Sequence, residues 1–182
     1  MVNKYEFELT NLQQKILELL FKRAGTSLNQ NQIAKHLNVS QAAVKKALPG
    51  LEKTNFIKLE KNKETKRWEI TLNTNNHKVM QLKRVNNLKQ VYESGLADFL
   101  EKEFAGGTII LFGSYSRGED IFNSDLDIAI IGRKEKYLDL KEYEKILERK
   151  INLNFYSSFD KIHKNLKENL ANGIVLEGGF EL

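Results

Sequence analysis

The chain has 182 residues, 41% hydrophobic and 29% charged, with a formal net charge of +5 and no cysteine. That length holds one ordinary domain or two small ones, and the absence of cysteine excludes disulfides and thiolate metal sites. No apolar run approaches the length needed to cross a bilayer, and Met1–Thr10 lacks the apolar core of a signal peptide, so a cytoplasmic location without a membrane partner is expected. The charge is uneven. Residues 1–75 carry 13 Lys/Arg against 7 Asp/Glu, a net of +6, whereas residues 108–182 carry 11 against 13, a net of −2. A basic first third suits a polyanion partner, although surface solubility alone also produces such a balance.

Thr10 is a suitable N-cap for a helix over Asn11–Arg23, with Leu12, Ile16, Leu19 and Leu20 on one face and Gly25 as its stop. Ser27 or Asn29 opens a second short helix containing Ile33, Ala34 and Leu37. After the turn Asn38-Val39, Ser40 caps a third helix with Ala43, Val44, Ala47 and Leu48 inward. Pro49-Gly50 is expected to end or kink it near Leu48. Two alternating runs follow, Phe56–Glu60 and Arg67–Leu72, joined by the polar, basic segment Lys61–Lys66. Trp68 is expected to pack on its own domain. Two helices joined by a tight turn and followed by a basic hairpin resemble the winged helix-turn-helix domains of bacterial and archaeal regulators. The resemblance implies binding of double-stranded DNA, with Gln41, Lys45 and Lys46 on the third helix and Lys61, Lys63, Lys66 and Arg67 on the wing. Such domains also serve as protein-interaction modules.

Asn73–His77 is a polar link. Val79, Leu82, Val85, Leu88, Val91 or Tyr92, Leu96, and Phe99 or Leu100 then recur at helical spacing, which predicts one long helix from His77 to Phe104. Nothing in sequence covers the first half of that stripe, so a homodimer or docking on the winged domain is expected. The predicted organisation is a winged domain over 1–75, a linking helix over 76–91 and a second domain over 92–182.

Gly106-Gly107 releases the chain into Thr108–Phe112, an apolar run that reads as a buried strand, as does Ile128–Ile131. Between them lie Gly113-Ser114, Arg117-Gly118, Ser124 and Asp125-Leu126-Asp127. A glycine allows close backbone approach, and the serine after it offers a hydroxyl and an amide to a phosphate. Asp125 and Asp127 share a strand face about 6–7 Å apart. Paired carboxylates repel unless a cation sits between them, and Mg²⁺ takes oxygen ligands. Further on, Asp139–Lys150 reads as an amphipathic helix with Leu140, Tyr143, Ile146 and Leu147 inward. Ile151–Tyr156 reads as a strand and Phe159–Asn172 as a last helix, with the tail Ile174–Leu176 after Gly173.

Gly113-Ser114 followed by Asp125-x-Asp127, in a strand–loop–strand setting, resembles the minimal nucleotidyltransferases of the DNA polymerase β superfamily. The fold class expected is therefore α+β, a winged helix-turn-helix followed by a small mixed sheet flanked by helices. The resemblance implies a nucleoside triphosphate held by Gly113, Ser114 and Arg117, and Mg²⁺, two ions in an active enzyme, held by the catalytic pair Asp125 and Asp127. Arg117 has the alternative of pairing with Glu119. Relatives of this size implied by the resemblance act as antitoxins on a partner toxin or modify small molecules. A third carboxylate is usual on the strand after the helix, where this chain has Asn152, or Asn154 if the register slips by two. An amide is a weak metal ligand and takes no proton. Glu119 and Asp120 are conceivable replacements, more often solvated. His36, His77 and His163 show no ligand spacing. Two readings stand: an enzyme transferring a nucleoside monophosphate to a protein or small-molecule hydroxyl, and a DNA-binding regulator whose second domain senses nucleotide or acts as scaffold.

Overall fold

The structure is a computed structural model that describes residues 9–179, so the reading of Met1–Thr10 falls, up to residue 8, outside the described residues. The chain divides into two compact units between Val79 and Met80.

In the first unit, α1 (Asn11–Lys22) starts at a capping box in which Thr10 and Gln13 satisfy each other's backbone amides. Its buried face is Ile16, Leu17, Leu20 and Phe21, so the apolar stripe is rotated toward Leu17 from the predicted one. A two-residue strand β1 (Leu28–Asn29), not foreseen, precedes α2 (Gln30–Leu37), and Asn29 rather than Ser27 caps that helix. Asn38, in the left-handed region at φ 52, turns the chain toward Ser40, whose hydroxyl accepts from the Ala43 amide to cap α3 (Gln41–Lys53).

Pro49-Gly50 does not end α3, which continues to Lys53. Burial of Leu51, fully removed from solvent, outweighs the missing proline N–H. Gly50 serves a close approach instead: a Cβ there would collide with Gln13, whose Nε2 donates to Ala47 O at 3.1 Å. β2 (Ile57–Lys61) and β3 (Trp68–Leu72) form the antiparallel hairpin, with β1 added on the far side of β3. Asn62 Oδ1 accepts from the amides of Glu64 and Thr65 at 3.0 and 2.9 Å and shapes the wing tip. Trp68 does not pack away: it is 48% exposed.

The predicted long helix is two, α4 (His77–Glu93), which begins in the first unit and continues into the second, and α5 (Leu96–Glu103), broken where Gly95 adopts φ +75. The buried face of α4 keeps Val79 and Val91 of the predicted stripe, both at 0% exposure, but not Val85. Val85 is 67% exposed, while Lys83, Asn86 and Asn87 are buried. β4 (Thr108–Phe112) lies between β5 (Leu126–Ile131) and β7 (Ile174–Glu177), antiparallel to both, and β6 (Ile151–Tyr156) runs parallel to β5. The expected apolar tail is thus an edge strand.

Both sheet faces are covered, which is why β4 and β5 read as unbroken apolar runs. Ile109, Leu111, Ile128 and Ile130 pack with Val91, Leu96, Leu100 and Phe104. Ile110, Phe112, Ala129 and Ile131 pack with Ile162 and with Leu170 of α8 (Lys164–Ala171). The predicted last helix begins as a separate 3-10 turn, Phe159–Lys161. The helix before β6 is α7 (Lys141–Leu147), shorter than expected, and it buries Leu147 while Ile146 is 51% exposed.

Candidate nucleotide site and nucleic-acid surface

Strand register assembles the first site. Phe112 pairs with Asp127, and Asp127 pairs with Asn152, so the end of β4 and the starts of β5 and β6 meet. Asn152 Nδ2 donates to Asp125 Oδ2 and to Asp127 Oδ1, both at 3.2 Å. One amide nitrogen therefore faces both carboxylates. Asn154, beside Ala129, turns its amide toward Ile128 O at 3.5 Å. Tyr156 lies on the same strand face, and burial, followed by the Asp127 charge, raises its phenol pKa. Among the described residues no group of three or more His, Cys, Asp and Glu is placed to hold a metal ion.

Gly113 occupies φ +75 at the β4 exit, and a Cβ there would come within 2.8 Å of Asp127 Oδ2. Only glycine leaves both the turn and that carboxylate undisturbed. It opens α6 (Gly113–Arg117), on which Ser114 is half-buried and Ser116 is tied down by donating to Gly113 O at 2.9 Å. Arg117 Nε donates to Glu119 Oε2 at 2.7 Å, so its nearest anion in this structure is Glu119. Ser124 spends its hydroxyl locally, accepting from the Ile121 amide at 2.9 Å.

Asp120 is not solvated. It is 2% exposed and receives Lys83 Nζ and Asn87 Nδ2 on one oxygen, the latter at 2.6 Å, and Arg149 Nη2 on the other at 3.2 Å. Asn87 Nδ2 also donates to Tyr115 O at 2.9 Å. Burial pushes the Lys83 ammonium pKa down, and the Asp120 carboxylate opposes that shift. Gly118, at φ +76, lets α4 approach until a Cβ would sit 2.7 Å from Met80 O. The stripe Met80, Lys83, Arg84 and Asn87 therefore grips the segment that leads from Ser114 to Asp125. Sequence reading missed Lys83, Asn87 and Arg149. The available signal was Lys83, Asn86 and Asn87 at helical i, i+3, i+4 spacing, but a polar stripe looks like a solvated face until its partner is known.

The second surface lies in the first unit. Lys45 and Lys46 are exposed on α3, and Lys61, Lys63, Lys66 and Arg67 are exposed along the wing. Gln41, at the start of α3, lines one groove with Asn31, Lys66, Arg67 and Trp68. His36, His77 and His163 are exposed and dispersed, as their spacing suggested.

Residues 93–176 match the family model described as a nucleotidyltransferase domain, and residues 12–64 match one described as an HTH domain. The protein thus joins a winged helix-turn-helix domain to a nucleotidyltransferase domain, in an α+β architecture. No curated protein matches the chain. Among solved structures it is similar to AdcR, the adhesin competence repressor of Streptococcus pyogenes, at 26% identity over 54% of this chain and 69% of that one, TM-score 0.42. It is also similar to MepR of S. aureus in a DNA complex, at 26% identity over 53% and 79%, TM-score 0.40. A third is a cysteine-to-serine mutant of ZitR from Lactococcus lactis, at 25% over 58% and 70%, TM-score 0.40. Among the described residues no helix is long and apolar enough to cross a membrane.

Proposed function

We propose that the protein is a duplex-DNA-binding regulator whose nucleotidyltransferase domain binds one divalent cation with a nucleoside triphosphate and transfers slowly or not at all. The observation that carries this reading is the Asn152 amide directed at Asp125 and Asp127. With both carboxylates converging on one point, the donor set suits a single Mg²⁺, whose ligands are oxygens. A third carboxylate, which two ions and a general base require, is replaced by an amide. Asp125 and Asp127 would hold the cation, and Asn152, whose Nδ2 now donates to both carboxylates, would have only its amide oxygen to offer as a further ligand. When bound, Mg²⁺ supplies charge neutralisation to the phosphates. Gly113 and Ser114 hold the phosphate end, and Arg117 joins them by leaving Glu119.

A ligand that binds only the folded state stabilises it by RT ln(1 + [L]/Kd), about 2.7 kcal/mol at a hundredfold excess over Kd. Mg²⁺ and nucleoside triphosphate together should raise the melting temperature, and Asp125→Ala should abolish the rise. A rise of the same size in the variant rules out this site.

The retained Gly113-Ser114 and both aspartates support a second reading, transfer of a nucleoside monophosphate to a hydroxyl of a partner toxin or small molecule. Incubation with labelled nucleotides, alone and with the neighbouring gene product, decides between the readings. Label on either protein establishes transfer.

Duplex binding is supported by the +6 charge of residues 1–75 on a helix-turn-helix with a basic wing. Each phosphate contact contributes about 0.9 to the slope of log K against log salt. Replacing Lys61, Lys63 and Lys66 by Ala should therefore flatten that slope by about 3 in a titration of duplex binding. Affinity that ignores salt in the unaltered protein removes this part of the proposal. A homodimer suits a regulator of this kind and belongs to the same proposal.

A further inference from the structure

Gln41 begins α3 and Asn31 lies in the first turn of α2, yet their carboxamides meet: Gln41 Nε2 donates to Asn31 Oδ1 at 3.0 Å. Both side chains are exposed, and both line the groove that contains Lys66, Arg67 and Trp68. A hydrogen bond between two exposed amides adds little stability, because water offers each the same partners. Its effect is orientation. One amide hydrogen of Gln41 is committed to Asn31, while the other hydrogen and Oε1 remain as a donor–acceptor edge.

We propose that Gln41, held by Asn31, reads an adenine in the major groove of duplex DNA; this rests on the duplex-binding reading above. Adenine presents N6–H as donor and N7 as acceptor, which matches Oε1 and the remaining Nε2–H. Guanine presents two acceptors, N7 and O6, so Oε1 would face O6 with no proton between them. The first residues of a recognition helix are those that reach base edges. Lys66 and Arg67, on phosphates, fix the register without reading sequence. Asn31 touches no base in this arrangement and is a positioning residue.

The test is selection of bound sequences from a random duplex library by the full-length protein and its variants. The unaltered protein should select one A·T pair per bound protomer, on the order of 5- to 150-fold over other pairs. Gln41→Ala should lose the preference at that position alone. Asn31→Ala should weaken it at the same position, whereas Asn31→Asp, whose carboxylate still accepts from Gln41 Nε2, should keep it. A purely structural role for the pair would alter affinity evenly and leave base preference unmoved. An unchanged consensus in Gln41→Ala overturns the proposal. Binding to a non-specific duplex at low salt, measured alongside, separates the two readings. If it persists while no position is selected, adenine reading fails and DNA binding stands; if it is absent, both fail.

Discussion

Asp120→Ala should be among the most destabilising single substitutions in the second unit, costing about 3–5 kcal/mol, the range for removing one partner of a buried ion pair. The reason is asymmetry. Asp120 is the anion for two buried cations, Lys83 at 0% and Arg149 at 5% exposure. Removing it takes that carboxylate from both, and their loss of water is no longer offset there. Lys83→Met removes one cation and leaves Asp120 with Arg149 and Asn87, so it should cost less. The double variant should cost less than the sum of the two, since methionine at 83 no longer needs a counter-ion. Denaturant unfolding of the three variants measures all of this. Equal costs for Asp120→Ala and Lys83→Met would show that the cations are not paired through this carboxylate. The same variant should shrink the melting shift given by Mg²⁺ and nucleotide, because Asp120 anchors the segment that ends at Asp125.

What could be read in advance followed from local rules. Thr10, Asn29 and Ser40 cap their helices through backbone amides three residues away, an interaction wholly contained in sequence. β4 and β5 are uninterrupted apolar runs because both sheet faces are covered, and the parallel pairing of β5 with β6 sets Asn152 beside Asp127. The misreadings each depended on a distant partner. The α3 helix survives Pro49 because Leu51 is buried in the unit's core, a tertiary effect that overrides a local breaker. Gly95 breaks the long helix, although periodicity continued through it. Hydropathy alone places an apolar stripe on α4, whereas packing also buries Lys83 and Asn87 against Asp120, 37 and 33 positions away. Val85, which belongs to that apolar stripe, is left in solvent.

Asn152→Asp should strengthen metal binding and, with an acceptor hydroxyl present, raise the transfer rate by about 10²–10⁴-fold, the usual contribution of a general base. The exchange is nearly isosteric, so packing should hardly change. Its electrostatic effect is large. In the natural chain the Asn152 amide donates to Asp125 and Asp127 at 3.2 Å each, which moderates the repulsion between them without a cation. An aspartate in that place adds a third negative charge to the same point and withdraws both donated hydrogen bonds. Without metal the three carboxylates repel, and the variant should melt below the natural protein. With Mg²⁺ the order should reverse, because the cation gains an anionic oxygen ligand where the natural chain has only an amide oxygen to offer. That crossover in melting temperature can be read without any turnover, and it tests the geometry alone. Asn152→Ala provides the control. It removes the donated hydrogen bonds and supplies no base, so it should melt lower without metal and stay slow with it. Brisk transfer by the natural protein, undiminished in Asn152→Ala, would place the third ligand elsewhere.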